Sequence, residues 1–204
     1  MPNRERFQRI VIQEGNYQTL PTFTESDFGY FTNLTIGENS SAGKITIKNA
    51  QNKDSVIIDG ANGDIILPNA DCAEDFEISS VEQVDPGTVM ALNNDGKLVQ
   101  AKQPYDKCVA GVISGAGDLK PGLILGRQQG KTYKLPIALV GKVYCKIDAD
   151  YESVGAGDLL TSSATPGHAM KASDPTKSFG AIIGKALLPL KEGKGLIPIL
   201  VALQ

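Results

Sequence analysis

Val84-Asp-Pro-Gly-Thr-Val-Met-Ala-Leu92 and Val154-Gly-Ala-Gly-Asp-Leu-Leu-Thr161 start 70 positions apart, and reading them together decides the fold of this chain. Both open on Val-x-x-Gly and run into an apolar strand. Glycine at the fourth position permits the positive φ that a tight turn needs. A second pair of blocks follows: Asp95-Gly-Lys-Leu-Val-Gln-Ala101 and Pro166-Gly-His-Ala-Met-Lys-Ala172. A third pair is Cys108-Val-Ala-Gly-Val-Ile-Ser114 and Ser178-Phe-Gly-Ala-Ile-Ile-Gly184. Gly87 and Gly157 are 70 positions apart, Ala101 and Ala172 are 71, and Val112 and Ile182 are again 70. After each set comes a proline-bearing apolar run, Leu135-Pro-Ile-Ala-Leu-Val140 and Leu196-Ile-Pro-Ile-Leu-Val201.

The unit is therefore a glycine turn, a strand, a second turn, a strand, a loop, a buried strand and a final strand. The runs Val109–Ile113 and Ala181–Ile183 are apolar on both faces, which places them inside a sandwich or small barrel. The spacing predicts an all-β domain over residues 71–204, internally duplicated, with units at about 77–149 and 150–204. No stretch holds a helical apolar period through three turns without Gly or Pro, so no convincing helix is expected.

Upstream, Gly43–Leu67 reads as three short strands separated by the polar turn Asn49–Asp54 and by Gly60-Ala-Asn-Gly63. Asn-Gly is a strong hairpin signal. Ile45 and Ile47 fall on one face, because side chains alternate along a strand. Strands of four or five residues bury too little to fold alone, so residues 26–70 are expected to form a hairpin stalk that packs on the rest of the chain or pairs with sister copies around an axis. Further strands are expected at Arg9–Gln13, Phe28–Ile36 and Phe76–Ser79. Residues 1–25 show no period and read as an extended arm or attachment segment. A domain boundary falls near Asn69–Glu74.

Composition excludes several classes. A net charge of −3 with no long basic run argues against a nucleic-acid groove. No apolar run of membrane-spanning length occurs, and Met1–Phe7 carries no signal core. The expectation is synthesis in the cytoplasm and a final place in a virion, an extracellular particle or a cell surface. Trp is absent, which supplies an aromatic sugar platform poorly. Three cysteines, Cys72, Cys108 and Cys145, have neither the number nor the spacing of a disulfide framework or a zinc site, and read as buried reduced thiols.

The segment Ala70-Asp-Cys-Ala-Glu-Asp-Phe-Glu77, with Val84–Leu92 and Cys108–Ser114, resembles the start of the C-terminal self-cleaving chaperone domains of phage tail spikes and neck appendages, the peptidase G2 type. Residues Pro136–Leu203 are similar to an uncharacterised bacterial C-terminal fibre-end domain that often follows short Gly/Asn-rich hairpin repeats. The resemblance implies a trimeric β stalk followed by a globular β end domain.

Candidate chemistry is sparse. His168, the lone histidine, lies in a predicted turn. As a general base it needs a nucleophile such as Cys145 or Ser162 within reach; otherwise it is a turn or interface residue. The Asp71, Glu74, Asp75 and Glu77 cluster suits a cation or self-cleavage if its oxygens converge, and otherwise a strand with lysine partners. Asp148, Asp150, Glu152 and Asp158 form a second acidic patch without the spacing of an EF-hand. Gly111–Gly117 resembles a phosphate loop only loosely, because no Lys-Ser/Thr ending follows. The expected role is a non-catalytic homotrimeric fibre, spike or decoration protein without metal or cofactor. The alternatives are an autoproteolytic intramolecular chaperone, drawing on His168, Asp71 or Glu74, and a carbohydrate-binding tip that needs Tyr105, Tyr133 or Tyr151 in a groove.

Overall fold

Glycine turns alternate with short apolar runs from Ile36 onward, and nearly every such run is a strand. The computed structural model describes residues 36–38, 41–69, 71–79, 84–127 and 133–202. The arm expected over residues 1–25 and the strand expected at Arg9–Gln13 lie outside these, as does all but Ile36 of Phe28–Ile36.

In the N-terminal part, β1 (Gly37–Glu38) pairs antiparallel with β2 (Ser41–Ala42). Strands β3 (Lys44–Lys48), β4 (Asp54–Asp59) and β5 (Asp64–Ile66) make a separate three-stranded antiparallel sheet. Asn49 shapes the first turn: its Oδ1 accepts the Gln51 and Lys53 N–H groups, both at 3.0 Å. Gly63 closes the second turn at φ 73°. Ile45 stands opposite Ile58, Ile58 opposite Ile65, and Ile47 opposite Val56. In-register neighbours share a face, so these five residues form one apolar surface. Ile36 borders one end of it beside Ile45 and Ile58, and Ile45 and Val56 are half-buried, but most of the face is open: Ile47 is 52% exposed, Ile58 43% and Ile65 69%.

The rest of the described chain is one sheet. Its strands are β6 (Asp71–Glu77), β7 (Val89–Leu92), β8 (Leu98–Gln100), β9 (Val109–Ile113), β10 (Pro121–Leu125), β11 (Lys134–Asp148), β12 (Leu159–Ser162), β13 (Ala169–Lys171), β14 (Ile182–Ala186) and β15 (Lys194–Ala202). The order is β13-β12-β14-β15-β11-β9-β7-β8, with β6 bridging β11 and β10. Ile147 of β11 also pairs with Ala169 of β13, which closes β13, β12, β14, β15 and β11 into a barrel. Strand β11 serves two neighbourhoods. Its first half pairs with β6 and β9, its second half with β15, and a register shift between Ala138 and Val140 marks the bend.

Two hairpins share a register. Met90 faces Gln100 and Leu92 faces Leu98 in the first; Leu160 faces Lys171 and Ser162 faces Ala169 in the second. The third strands depart from the sequence alignment. Gly111 faces Met90, whereas Gly184 faces Leu160, an offset of 73 and not the 70 of Val112 and Ile182. Close approach explains the choice. A Cβ on Gly111 would lie 2.7 Å from Ile137 Cγ2 on β11, and one on Gly184 would lie 2.1 Å from the Leu200 carbonyl oxygen on β15. Each glycine lets its strand lie close against the next one, while the register shift falls on its other side, toward β7 or β12.

The barrel core is built from alternate residues. Val143, Cys145 and Ile147 of β11 meet Ile197, Ile199 and Val201 of β15, together with Leu160 and Ile183. A second cluster under β7–β9 holds Met90, Leu98, Ile113 and Ile137. Two expectations are corrected. Strand β6 starts at Asp71 and not at Phe76, because β10 and β11 pair with it on both sides and override weak local β propensity. One turn of helix, α1 (Pro175–Ser178), exists where none was expected. Asp174 caps it by accepting the Thr176 N–H at 2.9 Å, and Pro175 starts it, a signal too short to show a helical period.

Candidate functional site

Strand β6 separates the acids that the sequence groups together. Asp71, Asp75 and Glu77 alternate onto one face, and Cys72 and Glu74 onto the other. Asp71 is 5% exposed. Ser114 Oγ donates to its Oδ1 at 2.9 Å, and its Oδ2 is buried without a partner. Burial pushes the Asp71 carboxyl above the ordinary range, and the Ser114 hydroxyl opposes that only in part. Asp75 instead takes both forks of Arg127, at 3.0 and 3.2 Å, and Glu77 takes Lys97 at 3.5 Å. Glu74 sits half-buried in register with Leu125 and Ile137. The oxygens of the cluster do not converge.

The second acidic patch also divides. Asp148, buried at the barrel end, accepts from Thr165 Oγ1, from Ser163 Oγ at 3.4 Å and from the Asp150 N–H at 3.0 Å, with Lys194 3.9 Å away. Burial pushes its carboxyl up. Donation from Thr165 and Asp150, with the charges of Lys194 and His168, outweighs that and holds it below the usual carboxylate range. Glu152 and Asp158 instead share Lys171, at 2.8 and 3.3 Å. Among the described residues, no three His, Cys, Asp or Glu side chains form a group fit to hold a metal ion.

His168 is half-buried, and its Nδ1 contacts the Pro166 carbonyl oxygen at 2.8 Å. Asp71 and His168 therefore serve different parts of the fold. Cys145, on β11, is fully buried, and burial drives its thiol far above the normal value, which disables it as a nucleophile. Ser162 Oγ accepts the Asp106 N–H at 2.9 Å and ties a loop. Cys108 departs from the buried expectation: it is exposed, because the turn at Asp106 holds it outside β9 by accepting its N–H at 2.9 Å. Cys72 is half-buried. At Gly111–Gly117 the chain turns into strand β10 and not into a helix, which removes the phosphate-loop geometry.

The structure brings two of the three flagged tyrosines together. Tyr105 and Tyr151 line a groove of about 270 Å³ with Pro104, Glu152, Met170, Lys171 and Ser173. Tyr133 precedes β11 elsewhere. Within the groove Ser173 Oγ donates to Glu152 Oε2. Lys171 first, then Ser173, holds Glu152 below the ordinary carboxylate range, and Glu152 and Asp158 raise Lys171. Arg127 carries no motif, and Lys171, Met170 and Ser114 stand out only as parts of the repeat blocks, so sequence reasoning missed their roles. Only pairing across distant strands brings them to their partners.

No family model matches this chain, and no curated protein matches it. Among solved structures it is similar to the pre-mature gene product 12 of bacteriophage phi29, at 18% sequence identity and a TM-score of 0.45. The match covers 74% of this chain and 25% of that one, so the chain spans about a quarter of that protein's length.

Proposed function

We propose that this chain is a non-catalytic building block that joins copies of itself, as a homotrimer, in a phage-like particle or bacterial surface appendage. The observation that carries the reading is the largely uncovered apolar face of the β3–β5 sheet, with Ile47, Ile58 and Ile65 open to solvent. Strands this short bury little apolar surface within one chain, and contiguous exposed apolar surface marks an interaction site. Closing three such sheets around an axis covers that face and shields the edges of β3 and β5. The motif resemblance at Ala70–Glu77 points to a phage-like setting, and therefore to a virion or extracellular location. No helix among the described residues is long and apolar enough to cross a membrane. Sedimentation equilibrium tests the reading: the expected mass is three times 21.6 kDa, and a monodisperse monomer overturns it.

One observation favours the autoproteolytic alternative, the buried Asp71 carboxyl with its unpartnered oxygen next to Cys72. Intact mass spectrometry after prolonged incubation separates the two. A single uncut species is the expected outcome, and a fragment that starts between Cys72 and Ser80 reverses it.

A further inference from the structure

We propose that the groove between Tyr105 and Tyr151 binds a neutral pyranose unit of a glycan. The inference goes beyond the assembly reading and does not depend on it, because every groove residue belongs to one chain.

The groove is built and held. Tyr105 adopts φ 55°, a left-handed conformation that a bulky side chain rarely takes. Such strain persists only where surrounding contacts over-determine it, and it gathers at ligand sites. Three contacts fix Tyr105: its N–H donates to the Ser162 carbonyl oxygen at 3.2 Å, its hydroxyl accepts the Asp174 N–H at 3.0 Å, and Lys177 Nζ lies 5.8 Å from its ring centroid. Tyr151, by contrast, is 62% exposed and offers a free ring.

The chemistry matches an amphipathic ring. A pyranose presents a C–H face that stacks on an aromatic side chain and a rim of hydroxyls that need donors and acceptors. Tyr151 supplies the platform, with Met170 and Pro104 as apolar neighbours. Glu152 is oriented by Lys171 and Ser173, and each of its oxygens keeps an acceptor site. Lys171 has three protons, of which Glu152 and Asp158 take two. At about 270 Å³ the groove is smaller than the roughly 300–1,000 Å³ clefts that hold drug-sized ligands, so it fits one ring of an oligosaccharide. The lining carries one carboxylate, Glu152, and one lysine, Lys171, which Asp158 also pairs from outside the groove, so no unpaired cation of the lining is left to hold a sialic or uronic acid.

The test uses the full chain on an array of neutral and acidic oligosaccharides, with Tyr151→Ala and Glu152→Gln beside the wild type. Hits are titrated by tyrosine fluorescence, which no Trp masks. The expected result is binding to neutral glycans, at least tenfold weaker in each variant, with circular dichroism and assembled mass unchanged. Binding to no glycan, to acidic glycans alone, or to glycans that both variants bind as well as the wild type overturns the proposal. Because the mass is recorded on the same samples, a monomer that binds sugar refutes the trimer and leaves the groove standing.

Discussion

Replacing Ile65 with serine tests the assembly at its most exposed point. Full burial of an isoleucine side chain stabilises by about 2 kcal/mol. Ile65 is 69% exposed in the single chain, so covering it contributes about 1.4 kcal/mol per copy. Three copies make about 4 kcal/mol, close to a thousandfold in the trimer association constant. Ile66→Ser is the matched control. Ile66 is in register with Ile57, on the opposite face, and is 41% exposed. Sedimentation equilibrium across a concentration series reads the shift directly. Ile65→Ser should move the monomer–trimer midpoint to much higher concentration, and Ile66→Ser should barely move it. Equal shifts for the two, or none for Ile65→Ser, refute the claim that this face is the one buried.

Four further outcomes follow from the packing. The Asp71 carboxyl is raised above its ordinary 3.8, so its contribution to stability is present below that value and is lost as pH rises through the folded one. Asp71→Asn, which cannot ionise, should therefore be about 1 kcal/mol more stable than wild type at pH 7, with the gap closing at pH 3; thermal melts at both pH values check it. Asp148 has the opposite sign: its carboxyl is lowered, so its contribution is present above 3.8 and is lost as pH falls through the folded value. Asp148→Asn should cost about 2 kcal/mol at pH 7 and progressively less in strong acid, measured by urea titration. Gly184→Ala drives a methyl into the Leu200 carbonyl and should cost about 3 kcal/mol or more, whereas Gly157→Ala, with open space around it, should cost only the backbone strain of about 1–2 kcal/mol. Cys108 should react with a maleimide in the native protein and Cys145 only after unfolding, a difference that mass spectrometry resolves residue by residue.

Much of the all-β fold was legible along the chain, because a period of two and a glycine turn are local features. The alternation of Ile45 and Ile47, the Asn62-Gly63 turn, and strands such as Ala169–Lys171 needed no knowledge of what lay across the sheet. Other features were not local. Strand β6 begins five residues before its first strong β former because β10 and β11 hold it on both sides. Arg127 reaches Asp75 across 52 positions. The helical turn at Pro175 is one cap and one proline, too brief for any pattern.

The sequence by itself determined the strand class, the glycine punctuation, the matched hairpin blocks and the apolar set of the N-terminal sheet, because each depends on neighbours within a few residues. Tertiary structure alone decided that Gly111 faces Met90 and Gly184 faces Leu160, that Asp71 is buried against Ser114 while Glu74 faces the other way, and that Tyr105 and Tyr151 share a groove. These outcomes depend on which strand lies beside which. That choice is set by barrel closure and cross-strand packing between residues far apart in the chain, and no local term along the chain records it.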